Sequence, residues 1–213
     1  PVMQDRTCFR VRFDDGCEIV ADADHLWAVE DRRSEKNRVI TTAEMARLKV
    51  LYRGGKRARF RIPNTEVLSL PDSTLPVDPY AMGLWLGDGS RSSGYLSCSD
   101  DDLSVLRSLL ADRGCATEVY RHPERCPSVK VTLPCGTKLG AFVRGEDKVV
   151  PPEYMRGSER QRRELLRGLM DSDGTASGAR RVEFYQTDLR LAYQVFELAA
   201  SLGSTPRLSV KVP

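Results

Sequence analysis

The chain has 213 residues, of which 40% are hydrophobic and 30% charged, so we expect a folded protein with a buried core. No apolar run approaches the roughly 20 residues of a membrane-spanning helix, and the first residues lack the apolar stretch of a signal peptide. We therefore expect a cytoplasmic protein without a membrane partner. The 33 basic and 30 acidic residues leave a net charge of +3, which neither requires nor forbids a nucleic-acid partner.

The first sixty residues are predicted to be rich in β-structure. Residues 8–13 alternate apolar and polar side chains, residues 14–16 have the composition of a hairpin turn, and residues 18–21 return as a second strand. A third strand is predicted at residues 25–29, and the charged residues 30–38 that follow are predicted to form a loop.

A short helix and a basic segment follow these strands. Thr41 and Glu44 have the spacing of a capping box, which predicts a helix that ends near Leu51. Five basic residues then fall within residues 53–61, either as a solvated loop or as additional phosphate contacts. Four prolines between residues 63 and 79 prevent long regular structure and predict a domain boundary near residue 70.

An internal repeat occupies the rest of the chain. The segments AMGLWLGDGS (81–90) and RGLMDSDGT (167–175) each read as an apolar helix that ends in Asp-Gly, at Asp88 and Asp173. Each copy continues with a short strand, a helix that ends at glycine, and the tetrapeptide SVKV, whose lysine lies 42 and 38 residues after the respective aspartate. Five matches in the same order imply a duplicated α-β-β-α-β unit.

Glycines in the two repeated helices predict that these helices cross closely. Gly83 and Gly168 each lie five residues before the aspartate of their own copy, about one and a half helical turns away. Small residues let two helix backbones approach. Packing the two helices about a pseudo-twofold axis would therefore place Asp88 and Asp173 side by side at the helix C-termini.

Two carboxylates at two helix C-termini predict a metal site. The carboxylates repel each other, and the negative ends of the helix dipoles add to that repulsion, so a divalent cation would relieve the conflict. We predict Mg²⁺ bound by Asp88 and Asp173 together with backbone carbonyls such as those of Gly87 and Ser172. Such a site suits phosphodiester hydrolysis.

The two helix ends resemble the signatures of the LAGLIDADG homing endonucleases. LWLGDGS (84–90) is similar to the first signature and LMDSDG (169–174) to the second, and the resemblance covers about residues 75–213. It implies an α/β endonuclease domain at residues 71–213 with two pseudo-twofold αββα repeats, cut short at its C-terminal end. It also implies a monomer that lays curved antiparallel sheets into the major groove of a double-stranded DNA target and cuts it with Mg²⁺.

The resemblance implies further residues that contact DNA. Lys148, in the segment DKVVPPEY (147–154), matches a Lys-x-x-Pro block of the family and is a candidate for polarising the scissile phosphate. Lys130 and Lys211 are rival candidates by their position in the repeat, although either could simply be solvated. Three more residues could contact bases or phosphates from a DNA-facing strand, or could lie on an ordinary surface: Gln186, Arg180 and Arg181.

Residues 11–27 resemble the strand–turn–strand–His block of inteins, whose β-rich Hint domain catalyses protein splicing. The resemblance implies that His25 hydrogen-bonds the scissile N-terminal amide. Asp22 departs from the pattern, because inteins commonly have threonine there. Trp27 resembles the tryptophan of class 3 inteins, which start splicing from an internal cysteine, but it could equally be a core residue. These features predict a partial Hint domain at residues 1–70, acting in cis on the exteins of a host protein.

The pattern as a whole, including LPVDPY (75–80), looks most like the inteins of actinobacterial replicative DNA helicases. The C-terminal splicing blocks are not in the sequence, so we expect it to be part of a larger intein. The function predicted is protein splicing combined with Mg²⁺-dependent DNA cleavage for homing. Two alternatives stay open: a LAGLIDADG module that binds DNA without cutting it, and a purely structural insert of the splicing element.

Overall fold

The computed structural model describes residues 4–52, 57–177 and 181–210, with the side chain of Arg181 left out. The chain divides into two compact units, Pro1–Thr65 and Glu66–Pro213, called here the N-terminal and the C-terminal unit. Among the described residues, no helix combines the length and the apolar character needed to cross a membrane. The molecule is a mixed α/β protein with small sheets, while the assignment of the N-terminal unit to the Hint family stays a prediction.

Short antiparallel sheets and one helix form the described part of the N-terminal unit. Its elements in chain order are β1 (Cys8–Arg12), β2 (Glu18–Asp22), β3 (Leu26–Asp31), β4 (Lys36–Thr41), α1 (Thr42–Arg47), β5 (Leu51–Tyr52), β6 (Arg57–Ala58) and β7 (Phe60–Arg61). Strand β1 pairs with β2, β3 lies between β4 and β7, and β5 pairs with β6. Apolar side chains from these elements form a small core: Ala21, Trp27, Val29, Ile40 and Met45.

The local patterns of the N-terminal sequence are partly confirmed. The hairpin of β1 and β2 is present and pairs Cys8 with Asp22. Helix α1 begins with the predicted capping box of Thr41 and Glu44. It ends at Arg47, earlier than predicted, because the backbone at Leu48 is already extended. The prediction of a loop at residues 30–38 is wrong at both ends, because β3 runs to Asp31 and β4 begins at Lys36.

The C-terminal unit contains the two repeated helices and their surroundings. Its elements are α2 (Pro79–Asp88), β8 (Leu96–Ser97), α3 (Leu103–Ala111), β9 (Ala116–His122), β10 (Arg125–Thr132), α4 (Gly140–Val143), α5 (Pro152–Met155), α6 (Glu159–Asp173), β11 (Gly174–Ser177), β12 (Arg181–Phe184) and α7 (Leu189–Ser201). One antiparallel sheet has the order β8–β10–β9, and β11 pairs with β12.

Helices α2 and α6 begin with clear caps and pack against each other. The side chain of Asp78 accepts a hydrogen bond from the N–H of Ala81, and a proline occupies the first position of α2. Ser158 and Gln161 form a capping box at the start of α6. Nearly all of α2 is buried, so it is the central helix of this unit.

The two copies of the repeat share the order helix, two extended segments, helix. Gly89, directly after α2, pairs with Leu96, just as Gly174 after α6 pairs with Phe184. The second SVKV tetrapeptide (209–212) lies partly outside the described residues, so the match of the two tetrapeptides stays a prediction. The first lies in β10 and begins 14 residues after Gly114, whereas the second begins 6 residues after Gly203, in a stretch whose described residues 204–210 form no strand. A twofold relation between the copies stays a proposal.

Candidate active site

The closest approach of α2 and α6 occurs at their glycines. A methyl group added at Gly83 would lie 2.4 Å from the carbonyl oxygen of Leu165, and one added at Gly168 would lie 2.2 Å from that of Tyr80. Both distances are far below van der Waals contact, and the atoms met are backbone atoms that cannot rotate away. These two positions therefore require glycine, and they bring the helix ends together.

Asp88 and Asp173, the last residues of the two helices, meet beyond this crossing. A methyl group added at Gly87 of α2 would lie 3.4 Å from Oδ2 of Asp173. Asp88 keeps part of its surface in solvent, yet the crowded helix ends remove enough water to raise the pKa of its carboxyl, and the charge of Asp173 raises it further. Burial also raises the pKa of Asp173. Two ionised carboxylates without a nearby cation are therefore unfavourable at this site.

Lys148 provides positive charge at the same place. Its Nζ donates a hydrogen bond to the carbonyl oxygen of Gly87, at the end of α2. Burial lowers the pKa of Lys148, while the nearby charges of Asp173 and Asp88 act in the opposite direction. Lys148 is therefore a half-buried ammonium in electrostatic contact with both carboxylates.

The predicted metal ligands fit a hard divalent cation in part. Two carboxylates and backbone carbonyls at helix ends are oxygen donors of the kind that Mg²⁺ binds. No group of three His, Cys, Asp or Glu side chains suited to a metal occurs in the described part of the chain, so protein carboxylates would supply only part of the shell. The carbonyl of Gly87 already accepts from Lys148, and the Ser172 hydroxyl donates back into its own helix, to the carbonyl oxygens of Gly168 and Leu169.

Gln186 lies at the acid site. Its Nε2 donates to Oδ2 of Asp173 over 3.2 Å, and its Oε1 accepts from the N–H groups of Thr187 and Asp188. The amide of Gln186 therefore bonds the Asp173 carboxylate and begins the turn into α7. A contact between Gln186 and DNA stays a prediction.

Lys130 lies on the outward face of the three-stranded sheet rather than at the acids. Its Nζ bonds Oε2 of Glu118 over 2.8 Å, and that oxygen also accepts from the hydroxyl of Tyr120. The rings of Tyr120 and Tyr95 stack with centroids 5.5 Å apart. Lys148, and not Lys130, is therefore the lysine that lies near the two aspartates.

The side chains of three predicted DNA-contacting residues lie outside the part of the chain that the structure describes. Arg180 and Lys211 lie outside the described residues. The backbone of Arg181 pairs with Ser177 at the end of the β11–β12 hairpin.

In the N-terminal unit, His25 is exposed beside a buried Trp27. The two rings meet edge to face with centroids 4.7 Å apart. Trp27 is 8% exposed, packs against Phe13, and donates from Nε1 to Oγ1 of Thr42 over 2.9 Å. These contacts favour a core role for Trp27. The sequence offered no signal for its partner Thr42.

Asp22 shapes the turn that leads to His25. Its carboxylate pairs with Nε of Arg6 over 2.5 Å and accepts from the N–H of Asp24. The hydrogen bond from Arg6 lowers the pKa of Asp22. The N–H of His25 donates to the carbonyl oxygen of Asp22, so this residue holds the backbone of the turn at both ends.

Comparison with known proteins agrees with the second signature, at the end of α6. Residues 160–213 match the LAGLIDADG-like domain. The chain is 35% identical over 228 residues to the replicative DNA helicase DnaB of Mycobacterium intracellulare, an alignment that covers 99% of this chain and 37% of that protein. The chain thus contains a LAGLIDADG-like domain and spans just over a third of the length of this relative.

Proposed function

We propose that the chain, which contains a LAGLIDADG-like domain, is an intein segment whose C-terminal unit cuts double-stranded DNA for homing. The observation that carries this proposal is the meeting of Asp88, Asp173 and Lys148 at the ends of two helices that cross at glycine. This is a concentrated group of acids and a cation with perturbed pKa values, as expected of a reacting site.

The chemistry we propose is phosphodiester hydrolysis. A divalent cation bound there would activate water and stabilise the leaving oxygen. Asp88 and Asp173 would hold that cation from two different helices. The ammonium of Lys148 would leave the Gly87 carbonyl and bond a non-bridging oxygen of the scissile phosphate, balancing the charge that develops as water adds to phosphorus.

The outward face of the β8–β10–β9 sheet is the surface we propose for DNA. A cavity of about 500 Å³ is lined there by Tyr95, Lys130, Lys138 and Arg144 among others. Three cations around one groove suit phosphate contacts, which dominate the affinity of proteins for DNA. Glu118 offsets part of this charge through its bond to Lys130.

Cleavage of a plasmid tests this proposal. The plasmid would carry the uninterrupted DnaB gene junction, and each reaction would be run with Mg²⁺ and with EDTA. We expect linear product only with Mg²⁺, and none from Asp88→Asn or Asp173→Asn. Asp171→Asn is the matched control, because this third acid accepts a hydrogen bond from the Tyr80 hydroxyl, as an asparagine could also do. Undiminished cutting by either site variant would refute the shared role of the two aspartates.

A DNA-binding module that does not cut is the second candidate, favoured by the bond between Lys148 and the Gly87 carbonyl, which occupies a predicted metal ligand. A gel shift of the same DNA in EDTA, without nicking after Mg²⁺ is added, would support it. No DNA affinity even at low salt would instead support a purely structural insert.

For the N-terminal unit we propose a part in splicing from a DnaB-like host, with His25 polarising the scissile amide. His25 is exposed and its turn is held by Asp22. In the full host precursor, His25→Ala should block N-terminal cleavage. Gel electrophoresis of samples taken over time measures this cleavage. His122→Ala, which changes the other exposed histidine, should splice normally. Normal splicing by His25→Ala would remove this histidine from the mechanism.

A further inference from the structure

Lys148 lies in a segment without regular structure. Helix α4 ends at Val143 and α5 begins at Pro152, so residues 145–151 belong to neither a helix nor a strand. A lysine side chain is long and flexible, and ordering it costs conformational entropy. Tertiary contacts must therefore hold the backbone for the ammonium to reach the carbonyl of Gly87.

Gln194 of α7 supplies the most specific of these contacts. Its Oε1 accepts from the N–H of Val150 over 2.8 Å, and its Nε2 donates to the carbonyl oxygen of Val150 over 2.9 Å. One side-chain amide thus satisfies both backbone groups of a residue that is 2% exposed and lies two positions after Lys148. This contact could not be predicted from the sequence, since an isolated glutamine on a helix resembles an ordinary surface residue.

The part of the segment before Lys148 contacts Arg91 and Arg190. The carboxylate of Asp147 accepts from Arg91 over 2.7 Å and lies 3.8 Å from Arg190, which is one turn before Gln194 on α7. These side chains are at least half exposed, so their ion pairs contribute little. The backbone before Lys148 is also tied to Arg91, whose carbonyl oxygen accepts from the N–H of Gly145 over 2.7 Å and whose Nε donates to the carbonyl oxygen of Glu146 over 3.1 Å. The paired hydrogen bonds of Gln194 are the corresponding restraint after Lys148, at the buried Val150.

We propose that Gln194 is the positioning residue of Lys148: it fixes the backbone at Val150 so that the ammonium is held at the end of α2, near Asp88 and Asp173. The inference rests on the proposed function of that site. It predicts that Gln194 affects the rate of cleavage and not the binding of DNA, because Gln194 acts only through Lys148.

Gln194→Glu is the variant that tests this positioning role most directly. The carboxylate has the size of the amide and still accepts from the N–H of Val150, but it has no proton to donate to the carbonyl oxygen, and the two oxygens repel. We expect single-turnover cleavage to slow by roughly 10- to 100-fold, the effect of a misplacement of about 1 Å at a reacting group. The dissociation constant for DNA should stay within about twofold. Glu197→Gln, an opposite change at an exposed position of α7, should alter neither.

A spectroscopic measurement decides the proposal whether or not the protein cuts DNA. With ¹⁵N-labelled lysine side chains, the ammonium signal of Lys148, assigned by its loss in Lys148→Met, should be protected in the wild type by its bond to Gly87. In Gln194→Glu it should shift or broaden, while the signal of Lys130, which is bonded to Glu118, stays unchanged. An unaltered Lys148 signal would overturn the inference, whereas a wild-type protein that shows the effect but does not cut would refute only the proposed function.

Discussion

Replacing Gly168 by alanine tests the helix crossing on which the site depends. The added methyl group would lie 2.2 Å from the carbonyl oxygen of Tyr80, while ordinary contact begins at 3.4 Å, so the helices must separate by about 1.2 Å. Overpacking of this kind costs roughly 1–3 kcal/mol, and the higher helix propensity of alanine returns up to about 1 kcal/mol. We expect the free energy of unfolding to fall by up to about 2 kcal/mol, measured by urea titration with circular dichroism.

The same separation should disturb the carboxylates five residues further on. We expect single-turnover cleavage by Gly168→Ala to fall by roughly 100-fold at full DNA saturation. Gly136→Ala is the matched control: its φ of +82° makes alanine strained by about 1 kcal/mol or more, but no atom lies within 4 Å of the added methyl. It should lose similar stability and keep its cleavage rate. Wild-type stability and cleavage in Gly168→Ala would refute the close crossing.

Two predictions concern buried polar groups. Arg59 donates two hydrogen bonds to the fully buried Asp31 and is the main reason that its pKa falls from 3.8 to about 2. Since the folded-state value is the lower one, ionised Asp31 should stabilise the N-terminal unit by about 2 kcal/mol above pH 4, and this contribution should vanish as the pH falls towards 2. Hydrogen exchange between pH 2 and pH 4 should show that the wild-type N-terminal unit loses stability as the pH falls. The stability of Asp31→Asn should depend less on pH, and an equal pH dependence in both proteins would contradict the role of Asp31. Tyr154→Phe should cost about 1–3 kcal/mol, because the hydroxyl both donates to and accepts from the backbone of Val77, whereas Tyr193→Phe on the exposed face of α7 should leave the urea midpoint unchanged.

Local patterns in the sequence determined several features of this protein. The alternation of β1 and β2, the capping box of Thr41 and Glu44, and the glycines five residues before Asp88 and Asp173 each predicted what the structure contains. These features depend on neighbours within one hairpin or a few helical turns, so their residue types carry the information directly.

Only the tertiary structure decided which residues accompany the aspartates. The sequence made Lys148 the candidate, with Lys130 and Lys211 as rivals by repeat position. In the structure Lys148 reaches a carbonyl 61 positions away, whereas Lys130 pairs with Glu118 on a sheet face. The contact between Gln194 and Val150 likewise joins residues 44 positions apart. Such contacts arise from the packing of helices and loops that are distant in sequence, and a single side chain leaves no periodic pattern from which they could be inferred.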